Sequence, residues 1–451
     1  TTVALSMAVM ALFPMYFLRS FAYAGVATVA FAALAAIVIT PAAITLLGDR
    51  LDALDVRRLI RRVLRRPEPQ PRPIEQQFWY RSTRFVMRRA LPIGLAGVAV
   101  LIVLGAPFFG VRPGFPDDRV LPKSASAHQV GDQLRSDFTN SSATAVQILI
   151  PDSTGLDDRA ISMYAERLSR VSDVSAVSAP GGTYVNGALV GPPSAATGTQ
   201  SGTTLLTVDS VAPLFSDRSD RQLDSLHAMA PPGGRAVEFA GTAQTNRDSV
   251  HAITSRLPLV LGLIAVITLV LLFLLTGSVV LPVKAVLLNI LSLSAAFGAM
   301  VWIFQDGHLG GFGTTATGTL VANMPVLLFC IAFGLSMDYE VFLISRIREF
   351  WLESPRGPGD NDESVALGVA HTGRVITAAA LIMAITFAAL AAAQLSALRL
   401  FGVGLTVAVL VDATLVRLVL VPAFMHVMGR WNWWAPRPLV RLHRRLGITD
   451  G

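Results

Sequence analysis

The stretch Phe333-Gly334-Leu335-Ser336-Met337-Asp338-Tyr339-Glu340-Val341-Phe342-Leu343 sets two carboxylates inside an apolar run from Val321 to Ser345. About 20 apolar residues suffice to cross the roughly 30 Å hydrocarbon core of a bilayer, so the run reads as a membrane span. A carboxylate inside such a span costs about 3 kcal/mol or more, which makes it a functional candidate by default. Asp338 lies about four residues, or about 6 Å, past the middle of the run. Desolvation there is expected to bring its protonation into working range. Tyr339 points about 100° away on a helix, so its hydroxyl is expected to meet another span. Gly334 shares the Asp338 face and permits close helix approach, and Ser336 adds a small polar group. Glu340, nearer the end of the run, reads as a snorkelling or salt-bridged acid. The structural alternative for Asp338 is a buried acid that only bonds a neighbouring helix.

Seven more apolar runs surround this one: Thr2–Leu18, Phe21–Leu47, Leu91–Phe109, Leu257–Thr276, Val279–Phe304, Val375–Gln394 and Leu398–Met428. The chain is 53% hydrophobic and only 15% charged, against about 25% charged in a soluble protein. That excludes an ordinary soluble enzyme, a disordered chain and a nucleic-acid-binding module. Cys330 is the single cysteine, so there is no disulfide framework. The histidines show no ligand spacing, so neither a metal nor another cofactor is expected. Lys123 follows Pro122 and Lys284 follows Val283, so neither completes a phosphate-cradling loop. Energy for work across a membrane would then come from an ion gradient or a partner.

Arginines set the expected orientation. The stretch 48–90 carries twelve arginines against five acids, and the tail after Met428 adds Arg430, Arg437, Arg441, Arg444 and Arg445. Both are expected in the cytoplasm of a multi-pass plasma-membrane protein. The segment 110–256, with twelve basic and fifteen acidic residues, is expected outside. Its pieces alternate: strand Ala145–Ile150, helix Leu156–Val171, strand Val174–Ser178, then strand Thr203–Val208, helix Asp217–Met229, strand Ala236–Ala240 and helix Thr242–Arg256. Two such units predict an α+β domain of split βαβ type, with Ala179–Gly202 as a flexible link. The predicted fold class is a multi-pass α-helical membrane protein of about eight spans, the first truncated, with one extracytoplasmic α+β domain.

The start of the chain echoes its end. Leu18-Arg19-Ser20-Phe21 parallels Leu398-Arg399-Leu400-Phe401, and Pro41 and Gly48 parallel Pro422 and Gly429. Transporters are often built from such repeats. The expected organisation is 1–47, the last two spans of a first repeat; 48–90, an Arg-rich linker; 91–109, a span; 110–256, the outer domain; 257–428, five spans; and 429–451, the tail. Thr1 carries no leader features, so the chain reads as a cut through a larger protein. Asp412 and Arg417 stand in the last run, five apart and so about 140° apart on an α-helix, which predicts that they do not simply pair with each other. Their repeat counterparts, near Phe31 and Ala36, are apolar. Ion pairing with another span and a place on a proton path are both open for them. Trp431, Trp433 and Trp434 read as an interfacial belt, and Arg346, Arg348, Glu349 and Trp351 as an amphipathic extension of the Asp338 helix.

Phe333–Arg346, FGLSMDYEVFLISR, resembles the MmpL family of the resistance-nodulation-division (RND) superfamily. Phe13–Ala24 (FPMYFLRSFAYA), His371–Ala378 (HTGRVITA), Val411–Ala423 (VDATLVRLVLVPA) and Asn432–Pro436 (NWWAP) support it. The resemblance implies a twelve-span exporter with two porter domains, using proton influx to export lipids, glycolipids or other hydrophobic compounds. It implies that Asp338-Tyr339 is one of two Asp-Tyr proton-relay pairs, and that 110–256 is a porter domain. No second Asp-Tyr pair lies within a span here, so the missing N-terminal half, or a partner supplying it, is implied as well. Membrane lipids and protons are the remaining expected partners; the oligomeric state stays open, a homo-oligomer included. Two other classes compete: an intramembrane aspartyl protease built on Asp338 and Asp412, and a sterol-sensing, receptor-like or protein-export helper on the same scaffold.

Overall fold

The computed structural model describes residues 2–48, 73–137 and 144–446. The arginines from Arg50 to Arg72 lie outside them. Helices follow in the order α1 (Thr2–Val9), α2 (Tyr16–Leu47), α3 (Phe78–Arg88), α4 (Ala90–Gly105), α5 (Ser126–Asp137), α6 (Asp158–Leu168), α7 (Asp217–His227) and α8 (Thr242–Thr276). Then come α9 (Val280–Met300), α10 (Asn323–Glu353), α11 (Asp360–Leu390), α12 (Ser396–Val411), a π-helical segment (Asp412–Leu420), α13 (Val421–Met428) and α14 (Arg437–Leu446). Among the described residues, seven helical stretches are long and apolar enough to cross a membrane, and Thr2–Leu12 is a shorter apolar helix. The first break falls at 13–15 rather than after Leu18. Pro14 forces its predecessor Phe13 into an extended conformation (φ −69°, ψ 139°) and ends the helix there.

Between α4 and α8 sits the α/β domain. Its strands are β1 (Pro113–Gly114), β2 (Val146–Ile150), β3 (Val174–Ala179), β4 (Gly182–Val185), β5 (Ala188–Gly191), β6 (Gly198–Gln200), β7 (Thr203–Ser210) and β8 (Glu238–Ala240); β1 pairs with β9 (Leu320–Val321). The main sheet runs β5-β4-β3-β7-β2-β8, with β6 on β7. β2 and β3 are joined through α6 yet separated by β7, antiparallel to both, which is a split βαβ arrangement. Val146, Ile148 and Ile150 alternate inward and are almost fully buried; each side chain of this kind contributes about 1.5–3 kcal/mol of burial.

The expected flexible link 179–202 is instead structured: it holds β4, β5 and β6. Asn186 and Gly187 both take positive φ (49° and 84°) between β4 and β5, the backbone that an Asn-Gly hairpin turn requires. The link between α10 and α11 is also shorter than the sequence suggested. Both helices extend, leaving only 354–359 between them. The amphipathic extension of α10 is present as far as Glu353, and its Trp351 packs inside the protein. It is 7% exposed and stacks on Trp433 at 5.3 Å, because α10 continues straight into the protein's own surface.

The two segments that echo each other in sequence share their end geometry. Arg19 Nε donates to the Phe13 carbonyl at 2.9 Å, and Arg399 Nε to the Ala393 carbonyl at 3.0 Å, each six residues back. Met15 and Leu395 cap the helices with nearly equal angles (φ −83°, ψ 128°; φ −78°, ψ 124°). Gly48 and Gly429 end them alike (φ 46°, ψ −129°; φ 50°, ψ −123°). Between the arginine and the glycine, however, the first copy advances 29 residues (48 − 19) and the second 30 (429 − 399). The first copy is one unbroken α-helix through Pro41, whereas the second contains the π segment. One extra residue accommodated by i→i+5 bonding is what a π-bulge is, and Pro41 shows that the matching Pro422 is not by itself the cause.

Helix α8 runs without a break from the α/β domain into the helical bundle, through Pro258. Helices α4 and α9 approach closely at Gly298, where an added Cβ would lie 2.0 Å from the Leu104 carbonyl oxygen and 2.9 Å from Gly105 Cα. Backbone cannot retreat as a flexible side chain can. Gly298→Ala is therefore expected to separate α4 from α9 and to cost about 1–3 kcal/mol, read as a lowered unfolding temperature in detergent; an unchanged temperature would contradict this packing.

Candidate functional site

Helix α10 distributes the central motif over several faces. Asp338 is exposed and faces α1, where the Thr2 hydroxyl donates to its carboxylate and lies 3.4 Å from the Gly334 carbonyl. Gly334 makes that approach feasible: a Cβ there would sit 2.7 Å from Val3 Cα and from Ser6 Oγ. Ser6 Oγ in turn donates to the Cys330 carbonyl at 2.8 Å. Asp338 thus stands at the rim of the bundle rather than in its interior. One helical step turns it to the α1 edge while its neighbours point inward.

Glu340, 200° further round, is 4% exposed and meets the charge of Lys284 on α9, itself 7% exposed. It does not snorkel, because its side chain turns into the bundle rather than along the membrane surface. Among the described residues, neither Lys284 Nζ nor Glu340 Oε1 has a hydrogen-bond partner. Lys284 was visible in the sequence as one of only two lysines, and its place inside an apolar run was the signal for it.

Asp412 and Arg417 correct the α-helical expectation. They do pair: Arg417 Nε donates to Asp412 Oδ2 at 2.8 Å, and Nη2 lies 2.7 Å from the same oxygen. The π turn is the reason, since i→i+5 winding stacks residue 417 over residue 412. Arg417 is fully buried. Its Nη2 also donates to the Ser336 carbonyl and, at 3.3 Å, to Ser336 Oγ. The guanidinium carbon stands 5.1 Å from the centre of the Tyr339 ring, a cation–π distance. The Tyr339 hydroxyl lies 3.5 Å from Met383 Sδ on α11. The structure thus brings Ser336, Tyr339, Asp412 and Arg417 into one network between α10 and the π segment, with Asp338 on the far side of α10. Asp412 is committed to Arg417, so it does not share a proton with Asp338 as a protease dyad would. Among the described residues, no group of three or more His, Cys, Asp or Glu could hold a metal ion.

Trp433 serves packing rather than a belt: besides its stack on Trp351, its Nε1 donates to Asn361 Oδ1 at 3.2 Å, while Trp431 and Trp434 are exposed.

A sequence profile of the MMPL family matches residues 1–93 and 119–446. The chain belongs to that family. As a member, it is a multi-pass membrane protein of the RND superfamily. It is 35% identical to the Streptomyces coelicolor membrane protein SCO6666 over all of this chain and 58% of that protein. It is 32% identical to the trehalose monomycolate exporter MmpL3 of Mycolicibacterium smegmatis, over 97% of this chain and 44% of that one. The heme uptake protein MmpL11 of Mycobacterium tuberculosis is 33% identical over 94% and 42%. The chain therefore spans about half the length of these relatives. A solved structure of SecDF from Thermus thermophilus aligns over 94% of the chain and 47% of its own, with a TM-score of 0.46 and 15% identity.

Removing one member of a buried ion pair strands the other charge and costs about 3–5 kcal/mol, whereas removing both is far milder. Arg417→Met in this MMPL chain should thus lower thermal stability strongly, and Asp412→Asn with Arg417→Met should recover much of the loss. Equal instability of the single and the double variant would contradict the pairing.

Proposed function

We propose that this chain is part of a proton-motive-force-driven exporter of lipids or other hydrophobic compounds, with Asp338 and Tyr339 as half of its proton relay. The observation that carries this reading is the placement of one acid, Asp338, on the open edge of α10, with Ser336 and Tyr339 of the same helix tied to the buried Asp412–Arg417 pair. Asp338 is the exchangeable site and the ion pair is the fixed counterweight.

In the proposed cycle, protonation of Asp338 removes a charge whose burial costs about 3 kcal/mol or more and lets α10 shift at its α1 edge. In the longer transporter that edge packs on the other half of the protein, which supplies a second Asp-Tyr pair. Because α10 also carries Ser336 and Tyr339, its movement strains or relaxes their contacts with Arg417. Helix α8, continuous with the α/β domain, passes the movement to that domain, which we take as an extracytoplasmic porter domain. The arginine-rich linker 48–90 and the tail 429–451 then face the cytoplasm, following the positive-inside rule. The cargo class is supported by MmpL3 and MmpL11, whose names state trehalose monomycolate export and heme uptake.

Asp338→Asn in the full-length transporter, reconstituted in vesicles with an imposed proton gradient, is expected to retain its fold and lose at least about 100-fold in transport, the scale of a removed acid–base group. Transport that persists with unchanged gradient dependence would remove Asp338 from the mechanism.

A further inference from the structure

Helix α9 carries one side chain that the relay does not use. Asn289 is 2% exposed, and among the described residues neither its Nδ2 nor its Oδ1 has a hydrogen-bond partner. A buried polar group left unpaired is destabilising, and here both ends of one amide are in that position. The amide lines a cavity of about 10 Å³ shared with Ser292, Ser336, Tyr339 and Asp412. About 10–15 Å³ is the room one water needs, provided two to four polar groups surround it. Leucine, alanine and valine side chains complete the lining, while the amide, two serines, a tyrosine and a carboxylate supply more than the two polar partners that one water needs.

From these groups we infer that the cavity is a binding site for a single water molecule, with Asn289 as the residue that positions it against Asp412. A neutral ligand fits better than a cation. The Arg417 guanidinium already occupies Asp412 Oδ2 and both oxygens of Ser336, so the site carries no net negative charge to attract a metal ion. Water also matches the demands of the amide, because it accepts from Nδ2 or donates to Oδ1 as its other partners dictate. Held there, it joins α9 to the α10–π-segment network through hydrogen bonds that reform when the helices shift. Its effect on transport rests on the proton-driven reading above; its presence does not.

The experiment has two arms, both on the full-length transporter. The first is a high-resolution structure in lipid nanodiscs. A solvent peak about 2.7–3.2 Å from the Asn289 amide supports the site, and a featureless cavity or a peak with the short, many-oxygen coordination of a cation overturns it. The second arm compares Asn289→Leu, which fills the space, with Asn289→Ser, which leaves room for water. Asn289→Leu is expected to lower transport roughly tenfold, within the range of coupling-network variants, and to move the midpoint of its pH profile; Asn289→Ser should keep both near the parent. Wild-type behaviour of the leucine variant, or equal losses in both variants without a pH shift, overturns the positioning role. If Asp338→Asn leaves transport intact while the solvent peak is present, the proton-driven reading fails and the water site stands.

Discussion

A fully buried guanidinium is the constraint on which the membrane part of this protein depends. Arg417 cannot shed its proton, so its charge must be answered wherever it sits. Asp412, the Ser336 carbonyl and hydroxyl, and the face of the Tyr339 ring answer it together. These partners come from α10 and from the π segment, so the two elements are held in one register. Everything near α10 inherits that register: the α1 contact at Gly334, the position of Asp338 at the open edge, and the inward turn of Glu340 toward Lys284.

Much of this was readable from the residues. The spans, the strand–helix alternation of the α/β domain and the acid at 338 inside a span follow from hydropathy, period and the expense of charge in hydrocarbon. What was not readable has identifiable causes. The pairing of Asp412 with Arg417 was hidden because a five-residue interval was measured on an α-helix, and only a change of winding makes it short. The one-residue mismatch between the two echoing segments was the available clue. The strands within 179–202 were hidden by a composition rich in loop formers, although Asn186-Gly187 is a strong short hairpin signal. Whether Glu340 faces water or the bundle depends on which helix stands opposite, and no local pattern carries that information.

Two carboxylates on one helix, two residues apart, thus live in different surroundings. Asp338 meets a hydroxyl at an edge, while Glu340 is enclosed with a lysine. Close approach at glycines gives this arrangement its stiffness: Gly334 admits α1, and Gly298 admits α4.

The extra residue in the second echoing segment also has a consequence for symmetry. Two copies of a helix pair, matched at both ends, would otherwise present like surfaces to the middle of the bundle. The insertion slips the phase of one copy and fits it with a locked charge, while the other keeps Phe31 and Ala36 at the same level. The twin elements are therefore electrically unlike, and a pseudo-symmetric frame acquires a built-in polarity without any change in its outline.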